Sequence, residues 1–192
     1  MQTLGEVEAD SSLEDVERAK YERVWAIEKY ARTSPAYHRY FSEVKRVVGK
    51  SQKVIEFGCG AGYALKYFED LGHEVLGVDI AENCLRVDVP FKQACLWHPM
   101  DVSGDVGFCV DVLEHIPTSK VKDTIGQIMQ CVPKCLFIAC MLPDSIGSRQ
   151  EFGKDTLHLT VRSASWWRNL AKECGEVVDF SDDKRSAIFT LI

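Results

Sequence analysis

Hydrophobic positions along the chain follow two different spacings, and the change divides the chain near Lys50. Before this point, apolar residues recur at helical intervals. The pair Ser11-Ser12, with acidic residues three positions later, resembles a capping box and predicts a helix that runs to about Thr33, just before Ser34-Pro35. A second helix is predicted over residues 37–48, with Gly49 as its stop. The first 50 residues are therefore predicted to form a helical arm.

After Lys50, short apolar runs alternate with helical patterns, which is typical of a parallel α/β sheet. The predicted strands are Lys53–Phe57, Glu74–Val78, Lys92–Leu96, Val106–Val110 and Leu136–Cys140. The predicted helices are Tyr63–Leu71, Ala81–Val87, Lys120–Val132 and Ala164–Cys174. Two closing runs, Val177–Phe180 and Ala187–Leu191, predict an antiparallel terminal hairpin. The pattern indicates one α/β domain, with an arm over residues 1–50 and a core over residues 51–192.

Length and charge restrict the possible partners. A chain of 192 residues suits one domain, and its net charge of −6 lacks the basic footprint of a nucleic-acid-binding protein. No apolar run approaches the roughly 20 residues that span a bilayer. The acidic first ten residues lack the layout of a secretory signal. We therefore expect a cytoplasmic protein, a monomer or homodimer, with no nucleic-acid or membrane partner.

The eight cysteines show no C-x-x-C pair, and most lie inside apolar runs such as Gly107–Val110. Cysteine in such surroundings behaves as a small buried hydrophobe. We expect reduced structural thiols and predict no metal site, because the spacing typical of zinc ligands is absent.

A glycine-rich loop is the most informative segment. A buried strand runs into Gly58, Gly60 and Gly62 and then into a helix, a layout that lets a ligand approach the backbone closely. A dinucleotide fingerprint would place its third glycine at Tyr63, and the Gly-Lys-Ser/Thr of a P-loop is absent. The alternative is a tight strand-to-helix turn without a ligand.

Two acids near this loop favour S-adenosylmethionine (SAM) as the ligand. Glu56 stands two residues before Gly58, where an acid suits the cationic ammonium and sulfonium of SAM better than a pyrophosphate. Asp79, 17 residues beyond Gly62, ends a predicted strand, where a carboxylate can accept both ribose hydroxyls. The acids and the glycine spacing together predict SAM rather than NAD.

Four segments in order resemble the motifs of class I SAM-dependent methyltransferases of the small-molecule branch. They are Glu56-Phe57-Gly58-Cys59-Gly60-Ala61-Gly62, Gly77-Val78-Asp79, Phe91–Leu96 and Phe108-Cys109-Val110-Asp111-Val112-Leu113-Glu114-His115-Ile116. The resemblance covers about residues 53–192. It implies a Rossmann-like three-layer sandwich with a seven-stranded, mostly parallel sheet in the order 3-2-1-4-5-7-6. This order agrees with the predicted terminal hairpin.

The resemblance also implies the residues that bind SAM and its product S-adenosylhomocysteine (SAH). These are Glu56, Gly58, Cys59, Gly60, Gly62, Asp79, Ile80, Cys95, Leu96 and Asp111. Many relatives have an aspartate at the position of Cys95, where it accepts from the adenine amino group. Recognition of adenine is therefore expected to rest on the backbone of Cys95 and Leu96 and on apolar packing, with Trp97 either stacking on the ring or packing in the core.

Two histidines are candidates for catalysis. His158 follows the polar loop after the fifth strand and is the first candidate for a general base, with ordering of that loop as the alternative. His115 lies in the segment after the fourth strand, beside the expected methionine part of SAM, where it either shapes the cofactor site or takes part in catalysis. Asp111 contacts either the substrate or a helix terminus.

Further polar and aromatic residues are candidates for the acceptor pocket. The aromatic residues of the arm predict either a lid or packing onto the sheet; they are Tyr21, Trp25, Tyr30, Tyr37 and His38. One of Trp166 and Trp167 is expected in the core and the other at the pocket. Arg149 and Arg162 flank the variable loop and either bind an anionic substrate or lie at the surface.

The leading prediction is methyl transfer from SAM to a small-molecule or sugar-like acceptor, most simply at a hydroxyl. The segment after the fourth strand is not the Asn/Asp-Pro-Pro-Tyr/Phe tetrapeptide of DNA amino-methyltransferases. One alternative is a SAM- or SAH-binding protein or partner subunit without activity. Another is a methyltransferase that acts on protein side chains, which a broad open groove would favour.

Overall fold

The computed structural model describes residues 4–28, 39–144 and 156–192, and its centre is a seven-stranded sheet. The strands lie in the order β3-β2-β1-β4-β5-β7-β6, which confirms the predicted topology. Their bounds are β1 Lys53–Phe57, β2 Glu74–Asp79, β3 Phe91–Gln93, β4 Val106–Val110, β5 Cys135–Cys140, β6 Val177–Asp182 and β7 Ser186–Leu191. Strands β1 to β5 are parallel, and β7 runs antiparallel to both β5 and β6. The hairpin thus closes one edge of the sheet.

Helices cover both faces of this sheet. Their bounds are α1 Leu4–Trp25, α2 Phe41–Val48, α3 Tyr63–Asp70, α4 Val121–Cys131 and α5 Ala164–Cys174. Two short 3₁₀ helices, Leu113–His115 and Thr118–Lys120, lie between β4 and α4. The apolar faces of α2 and α3 pack in one hydrophobic cluster, and those of α4 and α5 pack in another. The result is the three-layer sandwich expected from the alternating pattern.

Strands β4 and β7 are buried along their whole length, and β1 and β5 along most of it. Burial on both faces explains why their sequences read as continuous apolar runs rather than as alternating ones. Because parallel strands end at the same edge, the residues that follow β1, β2, β4 and β5 are brought together there.

The predicted bounds of the first helix are wrong. Helix α1 begins at Leu4, before the Ser11-Ser12 pair. It ends at Trp25 rather than near Thr33. The Trp25 carbonyl oxygen accepts a hydrogen bond from the Arg86 guanidinium at 2.5 Å. In a longer helix this oxygen would accept from a backbone amide one turn further along the chain.

The helix predicted over Ala81–Val87 does not form. The guanidinium of Arg86 donates to the carbonyl oxygens of Asn83, Cys84 and Leu85 at 2.8, 3.1 and 2.9 Å. One side chain thereby satisfies acceptors that a helical ladder would have satisfied.

Strand β3 is also shorter than predicted and ends at Gln93. Cys95 and Leu96 lie in the turn that follows, where the His98 amide donates to the Cys95 carbonyl oxygen. Within the described ranges, no helix has both the length and the apolar character needed to cross a membrane.

Candidate active site

A cavity of about 290 Å³ lies at the carboxyl ends of the parallel strands. Its wall includes the glycine loop after β1, the end of β2, the segments after β4 and β5, and one face of α1. Of the predicted cofactor residues, those that line the cavity are Glu56, Gly58, Cys59, Gly60, Gly62, Asp79, Ile80, Leu96 and Asp111. Both predicted catalytic residues, His115 and His158, line it as well.

The glycine loop requires its glycines for conformation and for space. Gly58, Gly60 and Gly62 have φ of 76°, 48° and 81°, in the left-handed region that favours glycine. A Cβ at Gly60 would lie 2.7 Å from the Trp25 side chain, and one at Gly58 would lie 2.3 Å from Val112. The loop is therefore held between α1 and the segment after β4.

Asp79 is fixed in orientation by backbone donors. One carboxylate oxygen accepts from the Gly60 amide and the other from the Ala81 amide, both at 3.0 Å. Burial raises the pKa of Asp79, and these hydrogen bonds oppose the shift. Each oxygen retains a second acceptor position, so the carboxylate can still accept from a ligand.

Glu56 is buried at the cavity wall, and its Oε2 has no hydrogen-bond partner in the part of the chain that the structure describes. Burial raises the pKa of Glu56 well above its usual value, and the nearby Asp79 raises it further. A buried carboxylate is stabilised by a cationic partner, so this wall is suited to a positively charged ligand group.

The segment after β3 contributes apolar surface. Leu96 and Trp97 line the cavity and are each 5% exposed, whereas Cys95 is buried and is not part of the cavity wall. The Trp97 side chain packs in the hydrophobic cluster that includes α4 and α5. The core packing that the sequence offered as one alternative is therefore present, and the same residue lines the cavity, while stacking of Trp97 on adenine stays a prediction.

Helix α1 covers one side of the cavity through Glu17, Tyr21 and Trp25, which share one helical face. Two hydrogen bonds connect the end of α1 to the segment after β2: one from the Arg86 guanidinium to the Trp25 carbonyl oxygen, and one from the Asn83 side-chain amide to the Glu22 carbonyl oxygen at 2.9 Å. Tyr21 packs edge-on against His115, with 5.8 Å between ring centroids. The other predicted lid residues, Tyr30, Tyr37 and His38, lie outside the described residues.

The segment after β4 brings two acids to the cavity. Asp111 has a φ of 52°, an uncommon conformation for a residue other than glycine, and its amide donates to the Ile138 carbonyl oxygen at 2.9 Å. Glu114 lies in the 3₁₀ helix and is 1% exposed. Burial raises the pKa of both carboxyls, and the charge of Asp111 raises the pKa of Glu114 further. Within the described residues, Asp111 Oδ1 and both carboxylate oxygens of Glu114 have no hydrogen-bond partner.

The two histidines lie together, with ring centroids 4.8 Å apart. Burial, and secondarily the neighbouring His158, lower the pKa of His115 to about 3. Leu157 to Thr160 pairs with the segment after β4: the Thr160 amide donates to the Glu114 carbonyl oxygen at 2.8 Å, and His115 Nδ1 lies 3.0 Å from that of Leu157. This pairing explains how residues more than 40 positions apart meet at one site.

The remaining candidates lie away from the cavity or outside the described residues. Trp167 is fully buried in the core, and Trp166 packs against it but does not line the cavity. Arg162 is exposed and stacks over Trp166. Arg149 lies outside the described residues.

Sequence reasoning missed Asp144 and Glu17. Asp144 is buried, and its carboxylate accepts from the amides of Leu157 and His158, which anchors the segment that carries His158. Its position just after a buried parallel strand was a signal that could have revealed it. Glu17 forms a buried ion pair with Lys20 on α1, and nothing in its local sequence distinguishes it from a surface acid.

Comparisons with known proteins agree with this arrangement. The chain matches the methyltransferase domain family over residues 28–179. It is 30% identical over 82 residues to the ubiquinone biosynthesis O-methyltransferase of Idiomarina loihiensis, a match covering 36% of this chain and 34% of that protein. The chain thus spans about a third of this curated relative.

Two solved structures share the fold. DhpI in complex with SAH has a TM-score of 0.69 at 17% identity, covering 92% of this chain and 95% of that one. Magnesium protoporphyrin IX methyltransferase from Synechocystis PCC 6803 with bound SAM has a TM-score of 0.65 at 15% identity, covering 91% and 95%. With four ordered motifs, this sheet order and a family match over most of its length, the chain belongs to the class I SAM-dependent methyltransferases.

Proposed function

We propose that this enzyme transfers a methyl group from SAM to a hydroxyl of a small-molecule or sugar-like acceptor, with both substrates bound in the described cavity. The donor occupies the end formed by Glu56, the glycine loop and Asp79. The acceptor occupies the end formed by Asp111, Glu114, His115 and His158.

The observation that carries the donor assignment is the buried Glu56 carboxylate. Glu56 lines the cavity, and its buried Oε2 has no partner among the described residues, next to glycines that keep the backbone open. The ammonium group of SAM supplies the positive charge that stabilises such a carboxylate. Asp79, held by two backbone amides, is oriented to accept from the two ribose hydroxyls.

The same assignment places the remaining parts of SAM. Adenine lies against Leu96 and Trp97, with recognition by the backbone near Cys95. The sulfonium methyl points from the glycine loop towards the histidine pair. An in-line displacement then forms a bond between the acceptor oxygen and the methyl carbon. The carbon–sulfur bond breaks, its electron pair stays on sulfur to give SAH, and the hydroxyl proton is released.

The acceptor end fits a polar small molecule better than a macromolecule. Helix α1 closes one side of the cavity, whereas a protein side-chain substrate needs an open groove. The curated relative in Idiomarina is named as an O-methyltransferase of ubiquinone biosynthesis, which supports oxygen as the acceptor atom. A net charge of −6 does not favour a polyanion. His115, with a pKa of about 3, is too weak a base to take the acceptor proton at neutral pH.

Calorimetric titration with SAM tests the donor site. We expect binding by the wild-type chain and no response to NAD. Glu56→Gln and Asp79→Asn should each weaken SAM binding by roughly 10- to 100-fold, because each removes a charged acceptor from a buried ligand contact. Asp70→Asn is the matched control, since Asp70 is an exposed carboxylate at the end of α3.

Folded protein that binds no SAM would contradict the proposed function. A SAM-binding chain that turns over no metabolite in a broad acceptor screen would instead favour a non-catalytic SAM- or SAH-binding protein.

A further inference from the structure

Three side chains, one carboxylate and two imidazoles, face one another at the acceptor end. Glu114, His115 and His158 each offer one ligand atom, and these atoms all lie within 4.8 Å of one another. Glu114 is 1% exposed, and neither of its carboxylate oxygens accepts a hydrogen bond from another described residue. A buried carboxylate that faces two imidazoles without a donor is an incomplete arrangement.

The contacts of the two rings indicate which nitrogen of each ring carries the proton. His115 Nδ1 lies 3.0 Å from the Leu157 carbonyl oxygen, and His158 Nδ1 lies 2.6 Å from that of Leu142. Since a carbonyl only accepts, each Nδ1 carries the proton, and each Nε2 of a neutral ring presents a lone pair. Histidines that bind metals are oriented in this way, with the second ring nitrogen donating to a backbone carbonyl.

No neighbouring side chain among the described residues donates a hydrogen bond to the Glu114 carboxylate. Asp144 Oδ1 lies 3.9 Å from His158 Nε2, beyond hydrogen-bond distance, and the Asp144 carboxylate already accepts from two backbone amides. Asp111, which is half-buried, adds a second acid to the same wall, with its Oδ1 unpartnered by any residue that the structure describes. The described groups that line this space are therefore acceptors and lone pairs, whereas Lys20, Arg39 and Arg185 act on them through their charge without lining the cavity.

We propose that Glu114, His115 and His158 bind one divalent transition-metal ion, such as Mn²⁺, Fe²⁺, Co²⁺ or Zn²⁺, which holds the acceptor oxygen for methylation. Two imidazoles with one carboxylate suit these ions, whereas Mg²⁺ and Ca²⁺ prefer oxygen ligands alone. Three protein ligands leave coordination positions open for the acceptor. The inference rests on the proposed function, assigns the histidines as ligands rather than as bases, and departs from the sequence-based expectation of no metal site, which considered only the cysteine spacing.

The ion has a definite task in the transfer. A hydroxyl bound to it loses its proton more readily, and the proton passes to water. The acceptor oxygen then attacks the SAM methyl group, while the ion keeps its oxidation state. The acceptor class is thereby narrowed to molecules that offer a hydroxyl to the ion, preferably with a second oxygen beside it.

Titration of the chelator-treated full chain with Co²⁺, followed by visible absorption, tests the site. We expect one ion per chain and a d–d band of a nitrogen- and oxygen-ligated ion. Glu114→Gln, His115→Ala and His158→Ala should each weaken Co²⁺ binding by roughly 100-fold. Acetohydroxamate, a small bidentate oxygen ligand, should shift the band of the wild-type complex by filling the open positions.

Two controls separate this site from other histidines. His73 hydrogen-bonds the Ser51 carbonyl oxygen near the opposite end of β2, and His98 belongs to a different group with Glu14 and Cys95. His73→Ala and His98→Ala should retain Co²⁺ binding. Calorimetry with SAM, in the absence of the ion, checks that each variant is folded and tests the donor site independently.

Unchanged Co²⁺ affinity in the Glu114, His115 and His158 variants would overturn the inference. So would loss of binding in His98→Ala alone, or a band that acetohydroxamate does not shift. None of these results would contradict the proposed SAM site. Absence of SAM binding by the wild-type chain would contradict the proposed function.

Discussion

The two ends of the cavity satisfy their buried acids in different ways. At the donor end, the Asp79 carboxylate accepts from the Gly60 and Ala81 amides, and the glycine loop is fixed by its own backbone conformation. At the acceptor end, the Glu114 carboxylate accepts from no other described residue, and its position comes from the pairing of two distant segments. On the proposed assignment, the donor end holds one acid with its backbone partners in place, Asp79, and one without, Glu56, whereas neither oxygen of Glu114 at the acceptor end has a partner among the described residues.

The largest expected effect lies in the glycine loop. Gly60→Val combines a left-handed φ of 48° with collision against Trp25, and we expect the free energy of unfolding to fall by about 3–5 kcal/mol. Chemical denaturation measures the loss. Gly126→Ala in α4 is the control, because an added Cβ there meets nothing within 4 Å and the change should stabilise the helix by about 0.5–1 kcal/mol. Equal effects of the two changes would contradict a rigid donor loop.

Asp79→Asn tests whether the two backbone hydrogen bonds to Asp79 stabilise the donor end. An amide group cannot accept from both Gly60 and Ala81, so one NH₂ must face a backbone N–H. We expect a loss of about 1–3 kcal/mol in the free energy of unfolding without ligand. Stability equal to wild type would show that the two amides do not hold this carboxylate.

Glu114→Gln should instead increase the free energy of unfolding of the metal-free protein. The pKa of Glu114 is raised in the folded state, so its contribution to stability is present below the unfolded pKa and decreases as pH rises. The neutral variant should match wild type near pH 5 and exceed its free energy of unfolding by about 1–2 kcal/mol near pH 8. Denaturation at both pH values in chelator measures this. Destabilisation at pH 8 would indicate that Glu114 already has a partner.

The smallest effect is expected from His115. Its folded pKa of about 3 is below the unfolded value, so the unfolded chain binds more protons between about pH 3 and 6.5 and stability decreases as pH falls through that range. His115→Gln should reduce this decrease by about 1 kcal/mol between pH 6.5 and 5. Parallel denaturation curves in chelator test it, and an unchanged pH dependence would place His115 in solvent.

The two ends of the cavity also differ in how far the sequence alone predicts them. The donor end is encoded locally, since Glu56, the three glycines and Asp79 sit at strand ends whose spacing is visible in the chain. The sheet order followed from the motif resemblance and the terminal hairpin. The meeting of His115 with His158 depends instead on tertiary hydrogen bonds, including those of Asp144, which no local pattern specifies. Residues 81–87 do not form the predicted helix for a similar reason, because the Arg86 guanidinium donates to carbonyl oxygens that a helix would use.

A crystal structure of the chain with SAH and Co²⁺ tests the central claim most directly. We expect the ribose hydroxyls at Asp79, the amino group at Glu56, and the sulfur directed towards an ion held by Glu114, His115 and His158. SAH in the reverse orientation, or bound outside this cavity, would contradict the division into donor and acceptor ends. SAH in the predicted place with the ion at another site would contradict the metal assignment alone.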